Sequence, residues 1–140
     1  MLAEVFLEVA DELARTGGPG RLRSAVSRAY YAVFHVASEA SAMLGAPRSN
    51  SHEVIGDRFQ TSDHPEISEL GQRFLNLKAT RQHADYKISK PGGVEEPSSV
   101  IVHLREAHDL VVVFRDLPTG ALEEAAKQAI LAYEARSRGR

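Results

Sequence analysis

The chain has 140 residues, 43% hydrophobic and 26% charged, proportions that exclude wholesale disorder and fit one globular domain with its own core. Seventeen basic against nineteen acidic residues leave a net charge of −2, so no global attraction draws the chain onto nucleic-acid phosphate. Cysteine is absent, which rules out disulfides, thiolate metal ligands and a cysteine nucleophile.

Five clusters of turn formers punctuate the sequence: TGGPG at 16–20, GAPRSN at 45–50, TSDHP at 61–65, KPGGVEEP at 90–97 and DLPTG at 116–120. Between them apolar residues recur at three and four, the helical period. Leu2, Val5, Phe6, Val9 and Leu13 predict a first helix that ends before Gly17 and Gly18. Residues 21–44, rich in alanine and aromatics, predict a long second helix. Asn50 with Glu53 has the pattern of a capping box for a short third helix carrying Val54, Ile55 and Phe59. Pro65 opens a fourth helix to about Ile88, and Pro97 a fifth through Val100, Leu104, Leu110 and Phe114. Pro118 opens a sixth through Leu122, Ala126, Ile130 and Tyr133. The β-branched runs VIVHL and LVVVF are joined by REAHD without a hairpin turn, which favours one helix over two strands. Residues 1–135 are expected to form a single domain, and the basic residues 136–140 to fray. Short connections favour antiparallel neighbours, so the expected fold is all-α: an up-and-down bundle of four main helices plus short additional ones.

No apolar run approaches the ~18 residues of a membrane span. The N-terminal stretch, with Glu4, Glu8, Asp11 and Glu12, lacks the basic start and bare apolar core of a signal peptide. A soluble cytoplasmic protein is the expectation.

Two charges fall where apolar residues belong. On a wheel of about 100° per residue, Leu70, Phe74, Leu77 and Ile88 share a face that also carries Arg81 and Asp85, while His83 points away. Ionised groups seldom stay buried unpaired. Arg-then-Asp at i,i+4 is the weaker order for a simple surface pair, so a partner on another helix is expected. The second helix offers one. Opposite its apolar band of Val26, Ala29, Tyr30, Val33, Ala37, Ala40 and Leu44 runs a polar stripe of Ser24, Arg28, Tyr31, His35 and Glu39. Arg28 is expected to join Arg81 and Asp85 in one inter-helix network. That network either fixes helix register or lines a site for nucleotide or RNA. Tyr30, Tyr31 and Phe34 have the shape to stack on bases, although such spacing more often serves a core.

Other chemistry finds little footing. His103 and His108 are five apart and do not share a helical face as a metal pair would, so no metal and no cofactor is expected. The glycines at 17, 18 and 20 follow no strand and precede no Gly-Lys-Ser, which excludes a P-loop. Serine, histidine and aspartate lack a nucleophile-elbow context.

SRAYYAVFHVASEA at 27–40 and the later Arg81, Gln82, His83, Ala84, Asp85, Tyr86 resemble the two signature segments of HEPN domains, especially the small stand-alone bacterial ones. The resemblance spans roughly residues 1–135 and implies a helical bundle, frequently a homodimer, often paired with a minimal nucleotidyltransferase in a toxin–antitoxin or nucleotide-handling module. Some family members are metal-independent ribonucleases that use an arginine, then four to six residues, then a histidine, near the dimer seam. Histidine there serves as general acid or base and arginine stabilises phosphorane charge. Arg28 to His35 and Arg58 to His64 have this spacing, though thirteen arginines and six histidines supply about that many matches by chance. The candidates for such chemistry are Arg28, His35 and Arg81; the wider binding set adds Tyr31, Asp85 and Tyr86. In relatives with a nucleotidyltransferase partner, a tyrosine two residues after the nuclease histidine receives a nucleotide. Tyr86 occupies that place here, with Ala84 where the histidine would stand.

Three functions follow as expectations. The first is a binding and regulatory half of a nucleotidyltransferase-linked pair. The second is an endoribonuclease acting across a dimer seam. The third is a non-catalytic interaction bundle.

Overall fold

A computed structural model describes residues 2–139. Among them are six helices and no strand: α1 Val5–Thr16, α2 Pro19–Met43, α3 His52–Gln60, α4 Pro65–Tyr86, α5 Pro97–Asp116 and α6 Glu123–Arg138. The all-α class expected from the periodicity is observed. Helix α2 is the axis of the bundle and packs most extensively on α1, α5 and α4, while α3 lies along α4 and α6 closes over α3. No helix is long and apolar enough to cross a membrane.

Local chemistry sets most boundaries. Gly17 and Gly18 adopt φ of +69° and +90° and break the chain between α1 and α2. Pro19 then starts α2 at a position where its missing N–H costs nothing. At the other end Gly45 sits at φ +91°. This turns the Ala46 N–H back to the Ser41 carbonyl and the Gly45 N–H to the Ala42 carbonyl, a Schellman closure. Glu96 caps α5 by accepting from the hydroxyls and backbone N–H groups of Ser98 and Ser99. Those bonds, the Ser98 hydroxyl first, hold its carboxyl down at about 2.

Several expected details are corrected. Ser51, not Asn50, caps α3, its side chain accepting from Val54 N–H at 3.3 Å. Along α1 and the residues just before it the buried line is Ala3, Leu7 and Ala10, whereas Leu2 and Val9 are exposed. Small alanines bring that line close to α2, and the larger Phe6 and Leu13 flank it, partly buried. Helix α4 stops at Tyr86, so Ile88 lies beyond it, 76% exposed. Pro118 opens a run of turns instead of a helix: Thr119 N–H bonds the Asp116 carbonyl and Glu123 N–H the Gly120 carbonyl before α6 begins. Residues 136–138, expected to fray, extend α6, and Arg136 donates to the Thr61 hydroxyl at 2.8 Å.

The core is centred on Tyr30, Phe59, Phe74 and Phe114, all fully buried. Phe74 bridges Tyr30 and Phe114 with ring centroids 5.8 and 6.2 Å away, which joins α2, α4 and α5.

Candidate functional site

The charged residues that the wheel placed on the apolar face of α4 are found there. Arg81 is 6% exposed. Its guanidinium lies 5.0 Å from the centre of the Tyr30 ring, 5.5 Å from Tyr31 and 6.0 Å from Tyr86. Three electron-rich faces thus surround one cation, an arrangement that favours its charge away from water. Asp85 Oδ2 stands 3.5 Å from Arg81 Nη1 and accepts from the Ser27 hydroxyl at 3.2 Å. Arg81 Nε is buried with no partner.

Arg28 does not join this network, which corrects the expectation. It is exposed and makes no ion pair or hydrogen bond among the described residues. The reason is rotational. Measured around α2 from Val26, Ser27, Phe34 and Tyr31 lie at about 80–140°, the edge that meets α4, whereas Arg28 and His35 lie at about 180–200°. Ser27 therefore supplies the α2 contact. His35 is exposed and stacks on Phe6 of α1, centroids 5.7 Å apart. Arg28 and His35 are two turns apart, about 10 Å along the axis. Within one chain, Arg28, His35 and Arg81 are not brought to a common point. In the other spacing match, Arg58 to His64, Arg58 is buried and paired with Glu134 at 3.2 Å, and His64 stands at the start of α4 without a hydrogen bond to it among the described residues.

An unanticipated histidine completes the cluster. His52, the first residue of α3, stacks on Phe34 with centroids 3.9 Å apart. Its Nδ1 lies 2.5 Å from the Tyr30 hydroxyl. Burial pushes the Tyr30 phenol far above its ordinary value of 10, so it stays protonated and donates to His52. Burial, and next the nearby Arg81 charge, hold His52 below 6.5, so it is the neutral acceptor at neutral pH. Nothing in the sequence around His52 signals this; it follows from where the 44–51 connection delivers the chain.

A second missed residue frames the site. Arg23, 8% exposed, donates from Nη1 to the carbonyls of His83 (3.2 Å) and Ala84 (3.0 Å). Its Nη2 reaches those of Lys87 (3.2 Å), Ile88 (3.2 Å) and Lys90 (2.8 Å), and its Nε the Glu95 carboxylate at 2.9 Å. The His83 and Ala84 carbonyls belong to the last turn of α4 and the other three to the segment that follows it, so a cation binds both the helix end, where the dipole favours one, and the chain leaving it. The signal was available: Arg23 lies about 60° from Val26, on the apolar band, as Arg81 does on its own helix. His83, expected to be solvated, is half-buried, its Nε2 2.7 Å from the Lys90 carbonyl. Tyr86 ends the helix with 72% of its surface exposed.

Chemically, the site is a buried cation under tyrosine faces, bordered by an accessible phenol at Tyr86 and an accessible imidazole at His35. No group of three or more metal-ligating side chains occurs among the described residues. Comparison of the chain with protein-family models, curated proteins and solved structures yields no match.

Proposed function

We propose that this chain is a HEPN-type binding and regulatory bundle. It works as a homodimer with a minimal nucleotidyltransferase, as one half of a toxin–antitoxin or nucleotide-handling pair. One observation carries the reading: the two segments that resemble the family, fifty residues apart in sequence, meet through Arg81 over Tyr30 and Tyr31 and through Asp85 on Ser27. The pairing gives both segments a shared purpose, which is to hold the end of α4 so that Tyr86 projects outward. A projecting phenol on a rigid helix end suits a partner enzyme that attaches a nucleotide. The Tyr86 oxygen would bond to the α-phosphorus of ATP, losing its proton as pyrophosphate leaves.

The test is incubation with ATP and a minimal nucleotidyltransferase encoded beside this chain. Mass spectrometry is expected to show one added nucleotide on the peptide containing Tyr86, and none in Tyr86→Phe. Unlabelled wild-type protein, or equal labelling of the Phe variant, overturns the assignment. Sedimentation at micromolar concentration is expected to give a dimer, and a monomer at high concentration removes that part. The ribonuclease alternative needs Arg28, His35 and Arg81 to act together and gains no support from their separation in one chain. Metal-free incubation with RNA is expected to leave it intact.

A further inference from the structure

The C-terminal end of α2, the connection at 44–51 and α3 enclose a cavity of about 340 Å³. Arg58 forms part of its wall and is 3% exposed. Only Nη2 of this guanidinium is used, donating to the Pro47 carbonyl at 2.9 Å and pairing with Glu134 at 3.2 Å. Its Nε is buried without a partner, and its Nη1 makes no hydrogen bond among the described residues. Buried arginines normally spend their five N–H donors, and leaving donors unmet is unfavourable. The rest of the polar wall adds free donors. Arg48, exposed at the cavity edge, has no ion pair among the described residues and the half-buried Ser38 no hydrogen bond. The Ser49 Oγ accepts from Ser51 N–H, which leaves its own proton to give. The one carboxylate in the wall, Glu39, gives one oxygen to Arg115 and lies towards solvent. Unspent donors therefore outnumber acceptors in the wall.

We infer that this cavity is a binding site for a small metabolite bearing an oxyanion, a phosphate or a carboxylate, with Arg58 and Arg48 as its cationic ligands. An oxyanion supplies acceptor lone pairs to a donor-rich wall, and arginine matches its geometry. The volume falls at the small end of metabolite sites and exceeds what a bare oxyanion fills, so a short body accompanies the anionic group. The site stands independently of Tyr86 and of any nucleotidyltransferase.

The experiment is a titration of the full chain followed by amide and arginine Nε–H resonances in NMR. Inorganic phosphate and acetate are added in separate arms, each against sodium chloride at equal ionic strength. Saturable shifts are expected at residues 38–49 and at Arg58 Nε–H, with phosphate, acetate or both, and the responding arm identifies the anionic group. Arg48→Gln and Ser38→Ala, which leave the buried Arg58 in place, are each expected to weaken binding at least fivefold while keeping a native spectrum. Shifts that never saturate, that equal those of chloride, that map to Arg81 and Tyr31 instead, or that persist unchanged in Arg48→Gln overturn the inference.

Discussion

Asp85 illustrates how partial exposure scales an ion pair. Its side chain keeps 27% of its surface accessible while Arg81 keeps 7%. Asp85→Asn is therefore expected to lower stability by about 1 kcal/mol, between the value of an exposed pair and the 3–5 kcal/mol of a fully buried one. Urea denaturation checks it, with a lower midpoint at unchanged slope as the expected result. His52 carries a pH signature. Its folded pKa is depressed, by burial first and by Arg81 next, so the unfolded chain binds more protons as the pH drops. The associated stability is present above the unfolded value of about 6.5 and is lost as pH falls from there through the folded pKa. His103, depressed by burial, adds in the same direction. Thermal melts between pH 7.5 and 5.5 are expected to show a decline that His52→Gln makes shallower; an identical slope in that variant refutes the assignment. The Arg81 and Asp85 positions were legible because a charge on an apolar stripe is a local contradiction in the sequence. Ser27 in place of Arg28, and His52 on Tyr30, were not, because each depends on how one helix is rotated against another.

At the level of elements, Gly71 governs the contact between α3 and α4. A Cβ there would fall inside the backbone of Gln60, which has no rotamer with which to retreat. Gly71→Ala is expected to cost about 2 kcal/mol, despite alanine's better helix propensity of roughly 1 kcal/mol. At Gly56 the same added methyl meets side chains instead of backbone, Leu75 most closely and the Phe74 ring at 3.0 Å, and the half-buried Leu75 can shift. Gly56→Ala is thus expected to be the milder change. Chemical denaturation of the pair checks the order. Helices bounded by explicit chemistry could be read directly: the glycine pair before Pro19, and Pro65 and Pro97 opening α4 and α5. The start of α6 could not, since Pro118 is as compatible with the turns that form there as with a first helical turn.

Across the whole molecule, α2 packs on α1, α3, α4 and α5, so its central amides are expected to exchange only by global unfolding. Those of the last turn of α6 exchange sooner, and native-state hydrogen exchange distinguishes the two classes. The grip of Arg23 on the end of α4 has a consequence for rates as well. One guanidinium joins a point near the start of the second helix to five carbonyls 60–67 residues later. A contact that closes so long a loop, and needs the end of α4 already shaped, belongs to the final stage of assembly. Removing it with Arg23→Met, at about 3 kcal/mol, should leave the refolding rate nearly unchanged and speed unfolding on the order of a hundredfold. In stopped-flow experiments only the unfolding arm of the chevron would rise. The end of α4, with the accessible Tyr86 on it, would then owe its persistence to how slowly that rivet lets go, beside the hold of Arg81 and Asp85.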